Sequence, residues 1–318
     1  MKFILTGSIA FDYLMRFPGY FKDHILPEHL NKISLSFLVE DMVRQHGGVG
    51  ANIAYTLALM GGKPYLYSSA GQDFGEYGQK LARVGVDISG VKVDQTKFTA
   101  SFFVNTDLSN AQIASFYTGA MEDAAEMPLK EAVSSPEDIV MVSPSDPRAM
   151  AAYIRDVKKL GIRMLFDPSQ QIVRMDKDVI REGIENAFGL FVNDYEFELM
   201  QKHTGMTAEE ILAIPAFSVI TLGGDGARIV SKDGDVAVPV VPDVRIVDPT
   251  GVGDAFRAGF LRGYESGFDF KLCGEMGTCT AALCLAQNGT QNHAFTWPEF
   301  KQYFRKYFND EGKLDTIN

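Results

Sequence analysis

Between residues 138 and 222 short apolar runs alternate with helical stretches, and few architectures accept that rhythm. Asp138–Val142 and Ile162–Phe166 read as buried strands. The stretch between them, Arg148 to Leu160, is helical and stops at Gly161. Leu190–Val192, a helix from Tyr195 and a strand at Phe217–Leu222 continue the series. Strands joined through helices pair in parallel, and a parallel sheet needs helices on both faces. Further on, Asp233-Gly234-Asp235 marks a tight turn between Arg228–Val230 and Val236–Val240. A strand is predicted at Val244–Val247, and helices at 252–265, about 270–286 and 298–308.

The first half is less regular. Residues 2–7 form a short apolar strand ending in Gly7-Ser8. Gly47-Gly48-Val49-Gly50 precedes a helix from Ala51 to Met60, closed by Gly61-Gly62. Tyr65–Ser69 reads as a strand, and Phe74–Val84 as a helix stopped by Gly85. Within residues 14–45, Ile33, Leu35, Phe37 and Val39 alternate with Ser34, Ser36 and Leu38, which suggests some strand. Phe98–Val104 and Ala111–Tyr117 flank a polar hexapeptide and read as a hairpin. The expected plan is an α/β body, residues 1–11, 46–95 and 119–318, with a small β-rich lid from residues 12–45 and 96–118.

Composition narrows the function. A chain of 318 residues, 46% apolar, buries a core without disulfides or metals. Lys+Arg 30 against Asp+Glu 41 leaves a net charge of −11, which repels a phosphate backbone and argues against nucleic-acid binding. One small phosphorylated ligand in a local pocket remains compatible. No run of ~20 apolar residues is present for a membrane helix. The apolar run at the N-terminus is too short for a signal peptide, so a cytoplasmic location is expected. Cys273, Cys279 and Cys284 match no zinc spacing, and the five histidines (His24, His29, His46, His203, His293) contain no metal-binding pair. Asp73-Phe74-Gly75 spells a protein-kinase triplet, but no His-Arg-Asp accompanies it; a turn into a helix explains it better. A P-loop motif is absent.

The chemistry concentrates in Asp248-Pro249-Thr250-Gly251-Val252-Gly253-Asp254-Ala255-Phe256. Two glycines at a helix start let backbone N–H groups converge, and the helix end adds positive potential. That makes an anion hole for a phosphoryl group. Asp254, in the first helical turn, is placed to accept a proton from a hydroxyl attacking phosphorus. A dinucleotide fingerprint fails, because Phe256 stands at the third glycine position.

This string resembles the C-terminal signature of the ribokinase-like family of sugar and nucleoside kinases. Four further segments agree in the same order: Gly7-Ser8 with Asp12; Gly47-Gly48-Val49-Gly50-Ala51-Asn52-Ile53-Ala54; Asn193-Asp194-Tyr195-Glu196; and Thr221-Leu222-Gly223-Gly224-Asp225-Gly226. Ser8-Ile9-Ala10-Phe11-Asp12, Leu35-Ser36-Phe37-Leu38-Val39, Gln112 to Met121 and Asp167-Pro168-Ser169-Gln170-Gln171 are similar to the bacterial adenosine kinases within it. The resemblance implies a ribokinase-like fold and ATP-dependent 5′-phosphorylation of adenosine to AMP, a purine salvage reaction.

It also implies roles. Ribose hydroxyls need acceptors, which Asp12 supplies, with the backbone at Gly48 and the amide of Asn52 completing the grip. Phe102 and Phe116 would flank the adenine; ordinary core packing is their alternative. Ser8, Ser36, Gln170 and Gln171 belong by resemblance to the nucleoside pocket. Arg174 would approach the phosphates, with a solvated arginine as the alternative. On the ATP side stand Asn193, Thr221, Gly223, Gly226, Gly251, Val252 and Gly253, the last three around the transferred group. Glu196 would hold Mg²⁺ through water. A K⁺ ion near Asp248 is a family expectation. The open edges of a β lid suggest a homodimer through the lids. Two other readings stay open: a related kinase for a free sugar or another nucleoside, and a non-catalytic nucleotide-binding regulator.

Overall fold

The computed structural model describes residues 1–25, 31–32 and 34–317. Pro27, His29 and Ile33 lie outside the described residues. The chain opens with β1 (Phe3–Leu5), β2 (Ala10–Arg16), β3 (Asp41–Gly47) and α1 (Val49–Leu59). Next come β4 (Tyr65–Leu66), β5 (Ser68–Gly71), α2 (Gly75–Val84), β6 (Val91–Asp94) and the hairpin of β7 (Ala100–Thr106) and β8 (Gln112–Tyr117). The alternating part holds β9 (Ile139–Val142), α3 (Pro147–Leu160), β10 (Arg163–Phe166), α4 (Lys177–Asn186), β11 (Ala187–Asn193), α5 (Asp194–Thr204), α6 (Ala208–Leu212) and β12 (Phe217–Thr221). The antiparallel pair β13 (Ala227–Ser231) and β14 (Gly234–Val238) precedes α7 (Val252–Glu265), α8 (Phe270–Leu285) and α9 (Trp297–Phe304).

Eight strands form one sheet in the order β14-β13-β12-β11-β10-β9-β1-β4, parallel from β12 to β4. Successive residues of its strands serve opposite faces. Leu5, Met141, Leu165, Phe191 and Val219 pack on the side of α1, α2 and α7. Ile4, Val140, Met164, Leu190 and Ile220 pack on the side of α3, α4 and α5. Burial on both faces explains why these strands read as continuous apolar runs. Helix ends follow local chemistry: the Asp146 side chain accepts the Arg148 N–H at 2.8 Å, Pro147 opens α3, and Gly161 ends it in a left-handed conformation with φ 66°. This is the α/β architecture that the resemblance implies, with a mostly parallel sheet between helical layers.

Three sequence-based expectations are corrected. Val244–Val247 is not a strand: Val244 packs beside α8 and α9, while Ile246 lines a cavity and is 75% exposed. The amides of Val247 and Asp248 both donate to the Leu285 carbonyl at the end of α8, so a helix end replaces a sheet neighbour. Residues 34–39 hold no strand either. Phe37 instead packs edge-on against Phe17 and Phe21, with ring centroids at 5.0 and 4.9 Å, so the alternation serves an aromatic cluster. The run Tyr65–Ser69 divides at Tyr67: β4 pairs with β1, whereas β5 pairs with β6 in a separate two-stranded sheet. Asp73 accepts from the Thr99 amide and hydroxyl just before α2, a turn contact.

A second sheet, ordered β3-β2-β7-β8, stands apart from the first. Its register places Gln45, Asp12, Phe102 and Phe116 in one row across four strands. Paired residues point to the same face, so these four side chains share a surface. Tyr13 and Phe103 stack on the opposite face, ring centroids 4.7 Å apart. Cys273, Cys279 and Cys284 are buried and unbridged. Among the described residues no helix is long and apolar enough to cross a membrane.

Candidate active site

The carboxyl ends of β10, β11 and β12 meet the start of α7: Asp167 after β10 holds Arg257, and Asn193 and Thr221 line one cavity with Val252 and Gly253. Open α/β sheets form their ligand crevices at such ends. Gly251 precedes α7 with φ 76°, a left-handed conformation, and a Cβ there would stand 2.8 Å from Thr290 Cβ. No carbonyl among the described residues accepts from the amides of Gly253 and Asp254. Unpaired N–H groups at a helix start project along the axis out of its N-terminal end and favour anions.

Beside this turn lies a cavity of about 690 Å³. Asn193, Thr221, Gly223, Gly226, Val252 and Gly253 all line it, as do Asp194 and Tyr195 from the same motif. Asn193 and Thr221 are register partners on β11 and β12, which is why they arrive together. Val241, Pro242, Val244, Phe256, Ala281 and Leu285 give it an apolar wall that suits the face of a flat ring. Sequence reasoning missed that wall, because its residues carry no motif.

Glu196 belongs to a capping box. Its carboxylate accepts the Asn193 N–H at 2.9 Å and the Ser169 hydroxyl at 2.9 Å, and Asn193 Oδ1 accepts the Glu196 N–H at 2.7 Å. A carboxylate has about four acceptor sites, so two remain for water on a cation. Among the described residues no cluster of three or more His, Cys, Asp or Glu can hold a metal by itself. Asp248 accepts the Thr250 N–H and the Gly289 N–H, each at 2.9 Å, and thereby ties the loop before α7 to the one after α8.

Asp254 receives a hydrogen bond from Asn52 Nδ2 at 2.8 Å. Burial pushes its carboxyl up to about 7; Arg257 and the Asn52 bond oppose the rise, and Asp167 and Glu196 reinforce it. Asn52 Oδ1 accepts from Thr290 Oγ1 at 2.8 Å and Gln291 Nε2 at 2.9 Å. Neither Thr290 nor Gln291 stands out in the sequence, since both lie in an unpatterned loop. Asp12 is raised to about 6 by burial first and by the Asp248 charge second. Its row neighbour Gln45 donates to Asn288 Oδ1 at 3.3 Å, so this face of the second sheet looks toward the loop that holds Asn52. Gln45 was not identified from the sequence.

The remaining candidates divide. Gly48, at φ 93°, lies so close to Ser8 and Ala10 that a Cβ would stand 2.6 Å from their backbone. Ser8 Oγ accepts the Val49 N–H at 3.2 Å, so Ser8 and Gly48 shape one turn beside Asp12. Gln171 is buried and donates to the Ser145 carbonyl at 2.8 Å. Ser36, Gln170 and Arg174 are exposed and are not brought into the cluster by any described hydrogen bond. Phe102 is partly buried, and Phe116 is 43% exposed.

Comparison with known proteins follows the same lines. The pfkB family carbohydrate kinase profile matches residues 11–297. A nucleoside kinase of Methanocaldococcus jannaschii is 28% identical over 309 residues, covering 96% of this chain and 97% of that protein. The nucleoside kinase of Burkholderia thailandensis in complex with inosine superposes with a TM-score of 0.86 at 34% identity, covering 96% of this chain and 97% of the other. The same enzyme in complex with ADP-inosine gives 0.83 at 36% identity, with 96% of each chain covered.

Proposed function

The chain belongs to the pfkB family of carbohydrate kinases, and on that premise we propose that it transfers the terminal phosphoryl group of ATP to the 5′-hydroxyl of a purine nucleoside, adenosine before others. One observation carries this reading. Asp254 stands between two places: Val252 and Gly253 beside it border the 690 Å³ cavity, and Asn52, from the helix that follows β3, donates to it.

The cavity takes the nucleotide, with its ring on the apolar wall and its phosphates toward Gly251–Gly253. The row of Asp12, Phe102 and Phe116 takes the nucleoside. Asp12 accepts from the ribose hydroxyls, and the two rings offer flat apolar surface to the base. Asp254 receives the proton of the attacking hydroxyl while the helix start stabilises the charge on the transferred group. Positioning and charge carry most of such a reaction. The second sheet acts as a lid that excludes water, which would otherwise intercept the phosphoryl group. Mg²⁺ would arrive with the nucleotide, held by its phosphates, by water and by Glu196, and would neutralise phosphate charge. K⁺ beside Asp248 belongs to the same reading, and activity in K⁺ against Na⁺ buffers tests it. The edge strand β8 is exposed along its length, which supports a homodimer through the lids; sedimentation tests that.

A specific observation favours a second acceptor. The Burkholderia relative was solved with inosine, so inosine is the main rival to adenosine. The test is purified protein with ATP, Mg²⁺ and a panel of adenosine, inosine, pyrimidine nucleosides, ribose and fructose, with products identified by mass spectrometry. AMP formation at the highest kcat/KM supports the reading. Preferred IMP formation moves the acceptor to inosine. Turnover of free sugars alone, or nucleotide binding without any turnover, overturns it.

A further inference from the structure

Beneath the start of α7 lies a buried ion pair that the scheme above leaves unused. Arg257 Nη2 donates to Asp167 Oδ1 at 2.6 Å, with side chains 8% and 0% exposed. Asp167 directly follows β10, and Arg257 is three residues beyond Asp254 on α7, a spacing that sets both on one helix face. Burying such a pair costs several kcal/mol per ion, and an apolar pair of equal volume is often no worse for stability. Stability alone is therefore a weak account of it.

Two details point toward the phosphoryl site. A Cβ on Gly253 would stand 2.9 Å from Arg257 Nη1, so the guanidinium lies directly against the turn that borders the nucleotide cavity. The terminal nitrogens thus divide: Nη2 donates to Asp167, and Nη1 lies beside Gly253. Arg257 Nε and Asp167 Oδ2 are buried without hydrogen-bond partners among the described residues. The surroundings are otherwise acidic, since Asp254, Asp167 and Glu196 all act on this guanidinium. A polyanion approaching three carboxylates is repelled unless a cation offsets them.

We infer that Arg257, anchored by Asp167, is a positioning residue for phosphoryl transfer: it braces the Gly253 turn and supplies the positive charge facing the terminal phosphate of the nucleotide. The inference rests on the kinase reading above. It singles out the terminal phosphate, because ADP leaves that position empty.

The test compares Arg257→Gln, Arg257→Lys and Asp167→Asn with the parent protein. Calorimetry measures affinity for Mg²⁺-ADP and for a non-hydrolysable ATP analogue, and steady-state kinetics gives kcat and both KM values. The Gln variant should lose about tenfold in analogue affinity while ADP affinity holds within about twofold. Its kcat should fall with the nucleoside KM unchanged, and the Lys variant should recover most of the analogue affinity. Asp167→Asn can still accept from Arg257 but removes a negative charge, so the analogue should gain on ADP. This second variant decides the matter if Arg257→Gln does not fold. Equal losses for both nucleotides, or an unmoved ratio in the folded variants, overturns the inference. If the parent phosphorylates a nucleoside and the ratio does not move, only this inference fails. If the parent phosphorylates nothing in the panel, the kinase reading fails first.

Discussion

Asn52 donates its amide to Asp254 across 2.8 Å while its own carbonyl accepts from Thr290 and Gln291. The Gln291 N–H on that oxygen sets which way the amide faces, so the Asn52 N–H points at the acid. The four residues come from α1, α7 and the loop after α8, and no pair of those elements would hold the geometry alone. The family resemblance points Asn52 at the ribose; its contact with Asp254 gives it a second task, orienting the acid.

Replacing Asp254 by Asn preserves that geometry, because the new amide oxygen still accepts from Asn52. It removes the carboxylate at the helix start that would take the proton. We expect turnover to fall by about 10²-fold or more, the scale of a lost general base. ATP binding should persist or tighten, since one negative charge leaves the site. Steady-state assays paired with calorimetry measure both. Near-normal turnover in a folded, nucleotide-binding variant would rule Asp254 out as the base.

The raised carboxyl of Asp254 sets a pH window. The base must be ionised, so kcat/KM should decline about tenfold per pH unit below about 7. Stability runs the other way. A folded-state value near 7 against an ordinary 3.8 means the folded protein binds the extra proton, so this group destabilises at pH 8 and ceases to do so by about pH 4. His46, lowered to about 4 by burial, pulls oppositely below pH 6.5, so the whole-protein curve is mixed. The difference between parent and Asp254→Asn isolates the acid. Chemical denaturation should show the variant ahead at pH 8, with its advantage shrinking toward pH 5. An advantage that does not change with pH would contradict the raised value.

Asp12 lies in the row with Gln45, Phe102 and Phe116 on the second sheet and is not among the residues lining the 690 Å³ cavity. Asp12→Ala should raise the adenosine KM far more than the ATP KM, and 2′-deoxyadenosine should be a poor substrate for the parent. A site built to accept a hydroxyl's proton leaves its own groups unpaired when the hydroxyl is missing. Initial-rate kinetics with each substrate varied in turn decides; parallel movement of both constants would remove Asp12 from the sugar site.

The two glycines before Asp254 should fail differently. A Cβ on Gly251 meets Thr290 and a left-handed φ, so Gly251→Ala should strain the loop and lower Tm as well as activity. A Cβ on Gly253 meets Arg257 Nη1, at 2.9 Å. That guanidinium is tied to Asp167, so Gly253→Ala should displace it and depress ATP affinity and kcat together, with a smaller change in Tm. Thermal denaturation beside kinetics separates the cases. Equal Tm losses would show that the distinction is wrong.

Much of this protein was legible in its residues. Apolar runs buried on both faces gave β9 to β12, capping chemistry and glycines bounded α3 and α2, and the glycine-rich turn before Asp254 marked the helix start on which the proposed phosphoryl site rests. These signals are local: a strand, a cap or a helix start is encoded within a few neighbouring positions. The apolar alternation at Val244–Val247 misled because periodicity reports which residues seek burial, not what buries them; here a helix end and a cavity do so. Partnerships across the chain were decided only by tertiary structure. Register across the second sheet brought Gln45 beside Asp12, the loop after α8 brought Thr290 and Gln291 to Asn52, and β10 brought Asp167 to Arg257. Contacts between residues 33 to 239 positions apart leave no local pattern, because the energy that selects them exists only once the sheets and helices have packed.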